Sequence, residues 1–192
     1  VTARRKVVLA IGLPGAGKST YFARKGIVPL SSDLIRELLY DNPSDQRHPE
    51  WVFAVLRDLL RRRLEVGAQT TYIDATNLTR YFRRSFLQIA REFGCAAEAL
   101  YFDVPLEVCL ERNRKRQLLE ATQIARTASG REARVVPEDV MRRMARRAEP
   151  PTNEEGFSRI VIVHPKRSKR VLGEGRGGVR SKGKKSHSGA KP

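Results

Sequence analysis

Only two cysteines, Cys95 and Cys109, occur in the 192 residues. They are far apart and form neither a CxxC pair nor a zinc-ligand spacing, so a disulfide framework and a zinc-built fold are excluded. Both lie in apolar surroundings, as expected of buried free thiols in a reducing, cytoplasmic setting. Long hydrophobic runs are also missing. None approaches the roughly 20 residues a membrane-crossing helix needs, so no membrane partner is expected. The opening VTARRKVVLAIG sets basic residues before an apolar run, as a signal peptide would. The run is too short, however, and enters a glycine loop with no small-residue cleavage site. It reads as a first strand. Acid is the third scarcity: 21 Asp and Glu face 38 Lys and Arg, for a formal charge of +17. A polyanionic partner fits that imbalance. Residues 165–192 contain ten Lys or Arg and a single acid, Glu174. With almost no apolar residues, that segment is expected to be a basic disordered tail behind one domain spanning residues 1–164.

Within the domain, short apolar runs alternate with helical periodicity. Strands are expected at residues 6–11, 27–30, 70–74, 96–102 and 159–163. Helices are expected at 18–25, 34–40, 51–66, 79–93, 105–117 and 137–148. Ser31-Ser32-Asp33 supplies N-cap chemistry. Gly67 and Gly94 close two of the helices. Pro137-Glu138-Asp139 opens another, with proline at the first helical position. Alternating strands and helices give an α/β domain, a three-layer sandwich around a mostly parallel five-stranded sheet. Residues 117–136 are polar, basic and poorly periodic.

Chemistry enters at GLPGAGKST, residues 12–20. Gly12-x-x-x-x-Gly17-Lys18-Ser19 is a Walker A P-loop, with a strand before it and a helix after it. Glycines let backbone amides approach phosphate oxygens, and the amides with the helix N-terminus form an anion nest. Gly12, Leu13, Pro14, Gly15, Ala16, Gly17, Lys18, Ser19 and Thr20 are therefore the candidate nucleotide-binding residues. Lys18 is placed to reach the β and γ phosphates, and the Ser19 hydroxyl to ligate Mg²⁺.

A P-loop alone does not name a reaction. Ser32-Asp33-x-x-Arg36 follows the second strand, where strand ends line the ligand crevice of an open parallel sheet. Asp33 there can take the proton of an acceptor hydroxyl. Arg36, one turn on, shares its face and can hold an anionic group. The reading without chemistry is a helix-capping aspartate with a local ion pair. Tyr72-Ile73-Asp74-Ala75-Thr76-Asn77 ends the third strand, and Asp74 is a candidate Mg²⁺ contact, direct or through water; its plainer role would be to fix the loop. Arg112 and Arg116, four apart on one helical face, are candidates to close on the phosphates from a helical lid at about residues 112–136.

Taken together, GLPGAGKST, SSDLIR, Asp45-Gln46, YIDATN, ERNRKR, VPEDVMRRM and EPPTNEEGF resemble the P-loop kinase domain of polynucleotide 5′-hydroxyl kinases, in the wider group of zeta-toxin and polynucleotide-kinase-like AAA-type ATP-binding proteins. The resemblance runs from Val7 to about Val163. It implies ATP and Mg²⁺ as cofactors and Asp33 as general base for a 5′-hydroxyl. It also implies Arg36 on the acceptor's phosphate, and Arg112 and Arg116 on the ATP phosphates.

Three functions remain open on these residues: a kinase for nucleic acid 5′-hydroxyl ends, a kinase for a small-molecule hydroxyl, and a nucleotide-regulated nucleic-acid-binding module without transfer. The tail offers a test. Removing the residues after His164 should leave ATP affinity unchanged and weaken oligonucleotide binding, most at low salt. Binding that is equal at low and high salt would rule out an electrostatic role for the tail.

Overall fold

Lys6–Ile11 forms β1, the middle strand of the sheet. Every residue after Lys6 in it is buried, as a strand covered on both faces requires. The structure, a computed structural model, describes residues 5–121 and 135–164. The expected disordered tail and most of the expected lid lie outside the described residues.

After β1 come α1 (Lys18–Arg24), β2 (Leu30–Ser31), α2 (Ser32–Tyr40), α3 (Pro49–Glu65) and β3 (Thr70–Asp74). The chain continues through α4 (Arg80–Glu92), β4 (Ala96–Tyr101), α5 (Leu106–Ala121), α6 (Glu138–Arg146) and β5 (Arg159–Ile162), with a 3₁₀ turn at Asn153–Glu155. The strand order is β2-β3-β1-β4-β5, and every pairing is parallel. The expectation of a mostly parallel sheet is met, and among the described residues no strand pairs antiparallel.

Alternation along β1 sends side chains to two cores. Val7, Leu9 and Ile11 join α3 and α4 on one face, where Val52, Leu56, Leu60 and Leu64 supply the inward stripe of α3. Val8 and Ala10 join Phe22, Leu110 and Met141 from α1, α5 and α6 on the other. Each fully buried aliphatic or aromatic side chain contributes about 1.5–3 kcal/mol. Cys95 and Cys109 are buried free thiols, one in each core.

Local differences from the sequence expectations have simple causes. β2 is two residues long, because residues 27–29 run outside the ladder and only Leu30 and Ser31 meet Ile73 and Asp74. The cap of α2 is Ser31, whose hydroxyl accepts from the Leu34 amide, so Asp33 sits inside the first turn. Asp33 is therefore not the cap, while the local ion pair of the non-chemical reading is present, with Arg36 at 3.2 Å. Pro137 is the residue before α6 rather than its first. Helix α5 runs on to Ala121, so Arg112 and Arg116 lie within a helix and do not open an irregular segment.

Candidate active site

The strands end together at one edge of the sheet, and the loops leaving β1 and β3, with the first turn of α2 directly after β2, line a cavity there. Its walls come from the P-loop (Pro14, Gly15, Gly17, Lys18, Ser19, Thr20), from Ser32 and Asp33 of α2, from Asp74, Ala75 and Thr76 after β3, and from Arg116 of α5. Gly12, Leu13 and Ala16 lie behind this lining. Arg36 and Arg112 are set back from it as well.

The P-loop conformation depends on glycine. Gly15 has φ +82° and Gly17 φ +99°. A Cβ on Gly15 would stand 2.7 Å from the Cys109 carbonyl oxygen in α5, whereas one on Gly17 would meet only Arg112 Nη1, at 3.8 Å. Gly15→Ala should therefore cost roughly 2–5 kcal/mol through backbone strain plus a backbone clash. Gly17→Ala should cost about 1–2 kcal/mol through the left-handed conformation alone. Thermal melts of the two variants check the order. Equal losses would contradict the close packing of the loop on α5.

Lys18 is buried, and its Nζ donates to the carbonyls of Gly12 (2.8 Å) and Leu13 (2.9 Å). Burial holds its pKa below the usual lysine range, against the pull of Asp74, Asp33 and Cys109. Ser19 Oγ donates to Asp74 Oδ2 at 3.0 Å. Burial pushes the Asp74 carboxyl up, and the Lys18 ammonium and Ser19 hydroxyl oppose that shift. A hydroxyl and a carboxylate side by side are the hard oxygen donors that suit Mg²⁺, so the residues present fit that ion.

Asp33 keeps 41% of its side chain accessible, while Arg36 keeps 5%. Arg36 Nη1 donates to Asp33 Oδ1 at 3.2 Å, and Ser32 Oγ lies 3.4 Å from the same oxygen. Arg36 thus orients the aspartate from behind. Arg112 Nη1 donates to the Gly15 carbonyl at 3.0 Å and ties α5 to the P-loop. Of the two predicted lid arginines, Arg116 is the one that reaches the cavity wall.

Several supporting residues were not anticipated. Asn77 is buried at φ +48°, and its Nδ2 donates to the Ala10 carbonyl at 2.8 Å. The Gly12 amide donates to the Thr76 carbonyl at 3.0 Å. Together these bonds fasten the start of the P-loop to the end of β3. Arg83 is fully buried and holds Glu155 through two bonds of 2.7 Å. It also donates to the carbonyls of Asn77 and Glu149. In α5, Asn113 pairs with the backbone of Val136 in both directions, Nδ2 to the carbonyl (2.7 Å) and the amide to Oδ1 (3.2 Å).

A family model described as an AAA domain matches residues 7–151. The chain belongs to the AAA domain family. As an AAA domain of this P-loop type it shares its fold with several solved structures. Kti12 of Chaetomium thermophilum, in complex with ADP-AlF3, aligns with TM-score 0.60 at 19% identity over 82% of this chain and 88% of that one. A chain of the Pnkp1/Rnl/Hen1 RNA repair complex gives TM-score 0.58 at 21% identity over 77% and 45%. The APS kinase CysC of Mycobacterium tuberculosis, with AMPPNP and APS, gives TM-score 0.51 at 20% identity over 86% and 91%. In sequence, the AAA domain is 29% identical over 165 residues to Transcription factor bHLH140 of Arabidopsis thaliana; that match takes in 84% of this chain and 16% of the relative. The P-loop kinase-like α/β fold expected from the motifs is the fold observed. Among the described residues, no helix is long and apolar enough to cross a membrane.

Proposed function

We propose that the protein is an ATP-dependent phosphotransferase that carries the γ-phosphoryl group to the 5′-hydroxyl end of a polynucleotide. The observation that carries this reading is one cavity shared by two kinds of group. Lys18, Ser19 and Asp74 line it on the phosphate-donor side, and the accessible carboxylate of Asp33 lines it on the acceptor side.

The P-loop amides and Lys18 bind the donor phosphates, Lys18 giving up its bonds to Gly12 and Leu13 to do so. Ser19, with Asp74 beside it or behind a water, would hold Mg²⁺, which when bound neutralises charge on the phosphate oxygens. Asp33, oriented by Arg36, accepts the proton of the attacking hydroxyl. That oxygen forms its bond to the γ phosphorus as the bond to the β-phosphate oxygen breaks, and ADP leaves. Arg116, on the cavity wall, adds positive charge where negative charge develops.

A polynucleotide acceptor is supported by the +17 charge and by the likeness of the motifs to polynucleotide kinases. The structural likeness to a chain of an RNA repair complex agrees with it at the level of fold. A small-molecule hydroxyl is the second reading, and the equally general likeness to an APS kinase agrees with that one. An acceptor profile at saturating ATP separates them. Oligonucleotides should be preferred over free nucleosides and sugars, with a KM that rises steeply with salt. Preference for a small alcohol with a salt-independent KM would select the second reading.

A further inference from the structure

Helix α4 begins with Arg80-Tyr81-Phe82-Arg83-Arg84, a few residues after Ala75 and Thr76 of the cavity wall. The segment divides its side chains sharply. Arg83 is wholly buried on Glu155. Arg80 and Arg84, one turn apart, are exposed, and neither side chain has an ion-pair partner among the described residues. The nearby carboxylate of Glu149 accepts from the Arg80 amide, at Oε2. Tyr81 is 82% exposed and Phe82 46%.

These rings are held in place. Tyr81 meets Phe82 edge-on at 5.5 Å and 77°. Phe82 stacks on Phe53 of α3 at 5.7 Å and 25°, and Phe53 leans on the buried Phe86 at 6.4 Å. An aromatic ladder anchored in the core thus ends in an accessible tyrosine on the same helical turn as two exposed arginines. An exposed aromatic costs solubility, and here it is flanked by two arginine side chains without an ion pair among the described residues.

We infer that this face binds the acceptor strand: its bases stack on Tyr81 and Phe82, and its phosphates pair with Arg80 and Arg84. The inference rests on the polynucleotide reading above and names the surface that would serve it. Stacking accepts any base, and arginine adds both charge and planar contact. A second exposed apolar surface, a groove lined by Val28, Leu38 and Leu59 beside β2, has Arg63 as the one charged residue of its lining. Charge complementarity therefore favours the α4 face for a nucleic acid.

The test measures binding of a fluorescent single-stranded 5′-hydroxyl oligonucleotide to the full chain, without ATP, by anisotropy. Phosphoryl transfer to that oligonucleotide and to a nucleoside 3′-monophosphate is measured in parallel. Tyr81→Ala should weaken oligonucleotide binding roughly tenfold, and Tyr81→Phe should retain it. The pair Arg80→Gln and Arg84→Gln should reduce the slope of log affinity against log salt by about 1.4, as two lost single-strand phosphate contacts require. The oligonucleotide KM should rise in Tyr81→Ala relative to the KM of the mononucleotide. Oligonucleotide transfer with an unaltered KM in Tyr81→Ala would overturn the platform and leave the kinase reading standing. Binding unaffected by all these variants would overturn it as well, and would assign the face to a protein partner. A wild-type chain that binds no oligonucleotide would overturn both readings.

Discussion

Replacing Asp33 with Asn is expected to lower kcat by about 10²–10⁴-fold, the usual worth of a positioned general base. ATP affinity should change little, because Asp33 belongs to α2 and not to the P-loop. The near-isosteric amide keeps a carbonyl oxygen for Arg36, whose Nη1 now meets Oδ1. The local structure of α2 should therefore survive, and the loss can be read as lost proton acceptance. Ligand-induced shifts in melting temperature report ATP binding separately from turnover. If Asp33→Asn retained full turnover, the residue would be a helix side chain that happens to face the cavity. If it lost ATP binding as well, its contribution would be to the nucleotide site.

Arg83→Met should cost about 3–5 kcal/mol of stability, the typical penalty for leaving one member of a buried ion pair behind. Arg83 has no accessible surface, and Glu155 keeps 7%. The guanidinium also satisfies the carbonyls of Asn77 and Glu149, which would be stranded with it. For a domain of this size the melting temperature should fall by on the order of 10 °C. Adding Glu155→Gln should recover part of the loss, because the stranded charge is then gone. The Thr152 amide, which donates to Glu155 Oε1, can still donate to the glutamine. A double-mutant cycle isolates the coupling. If the two single losses simply add, the pair contributes no specific coupling despite its geometry. Because Arg83 holds the carbonyl of Asn77, the single variant should also loosen the junction between β3 and the P-loop.

The difference between these two residues shows what the sequence made legible. Asp33 was found because a P-loop fixes the position of the next strand, and strand ends line the crevice in a parallel sheet. The central strand β1 and strand β3 were visible for a related reason: buried parallel strands read as continuous apolar or β-branched runs. Arg83 was hidden among Arg80, Arg83 and Arg84, which look alike as charges. Its signal was spacing. Position 83 lies on the stripe of Phe86, Leu87 and Ala90, which α4 turns into the core. Its partner Glu155 is 72 residues away, and nothing local announces that pairing. The short β2 was misjudged because residues 27–29 are apolar without being paired. Their hydrophobicity belongs to the groove beside the sheet edge. Arg112 was legible as a residue near the phosphate loop. Its use as a tie between α5 and the Gly15 carbonyl depended on how closely that glycine lets the two backbones approach.

The polynucleotide kinase reading stands or falls on transfer of labelled γ phosphate from ATP, with Mg²⁺, to 5′-hydroxyl DNA and RNA oligonucleotides, with Asp33→Asn in parallel. Label should appear on the oligonucleotide with the wild-type chain and be almost wholly lost with the variant. An oligonucleotide left unlabelled by a wild-type chain that still binds ATP would contradict that reading.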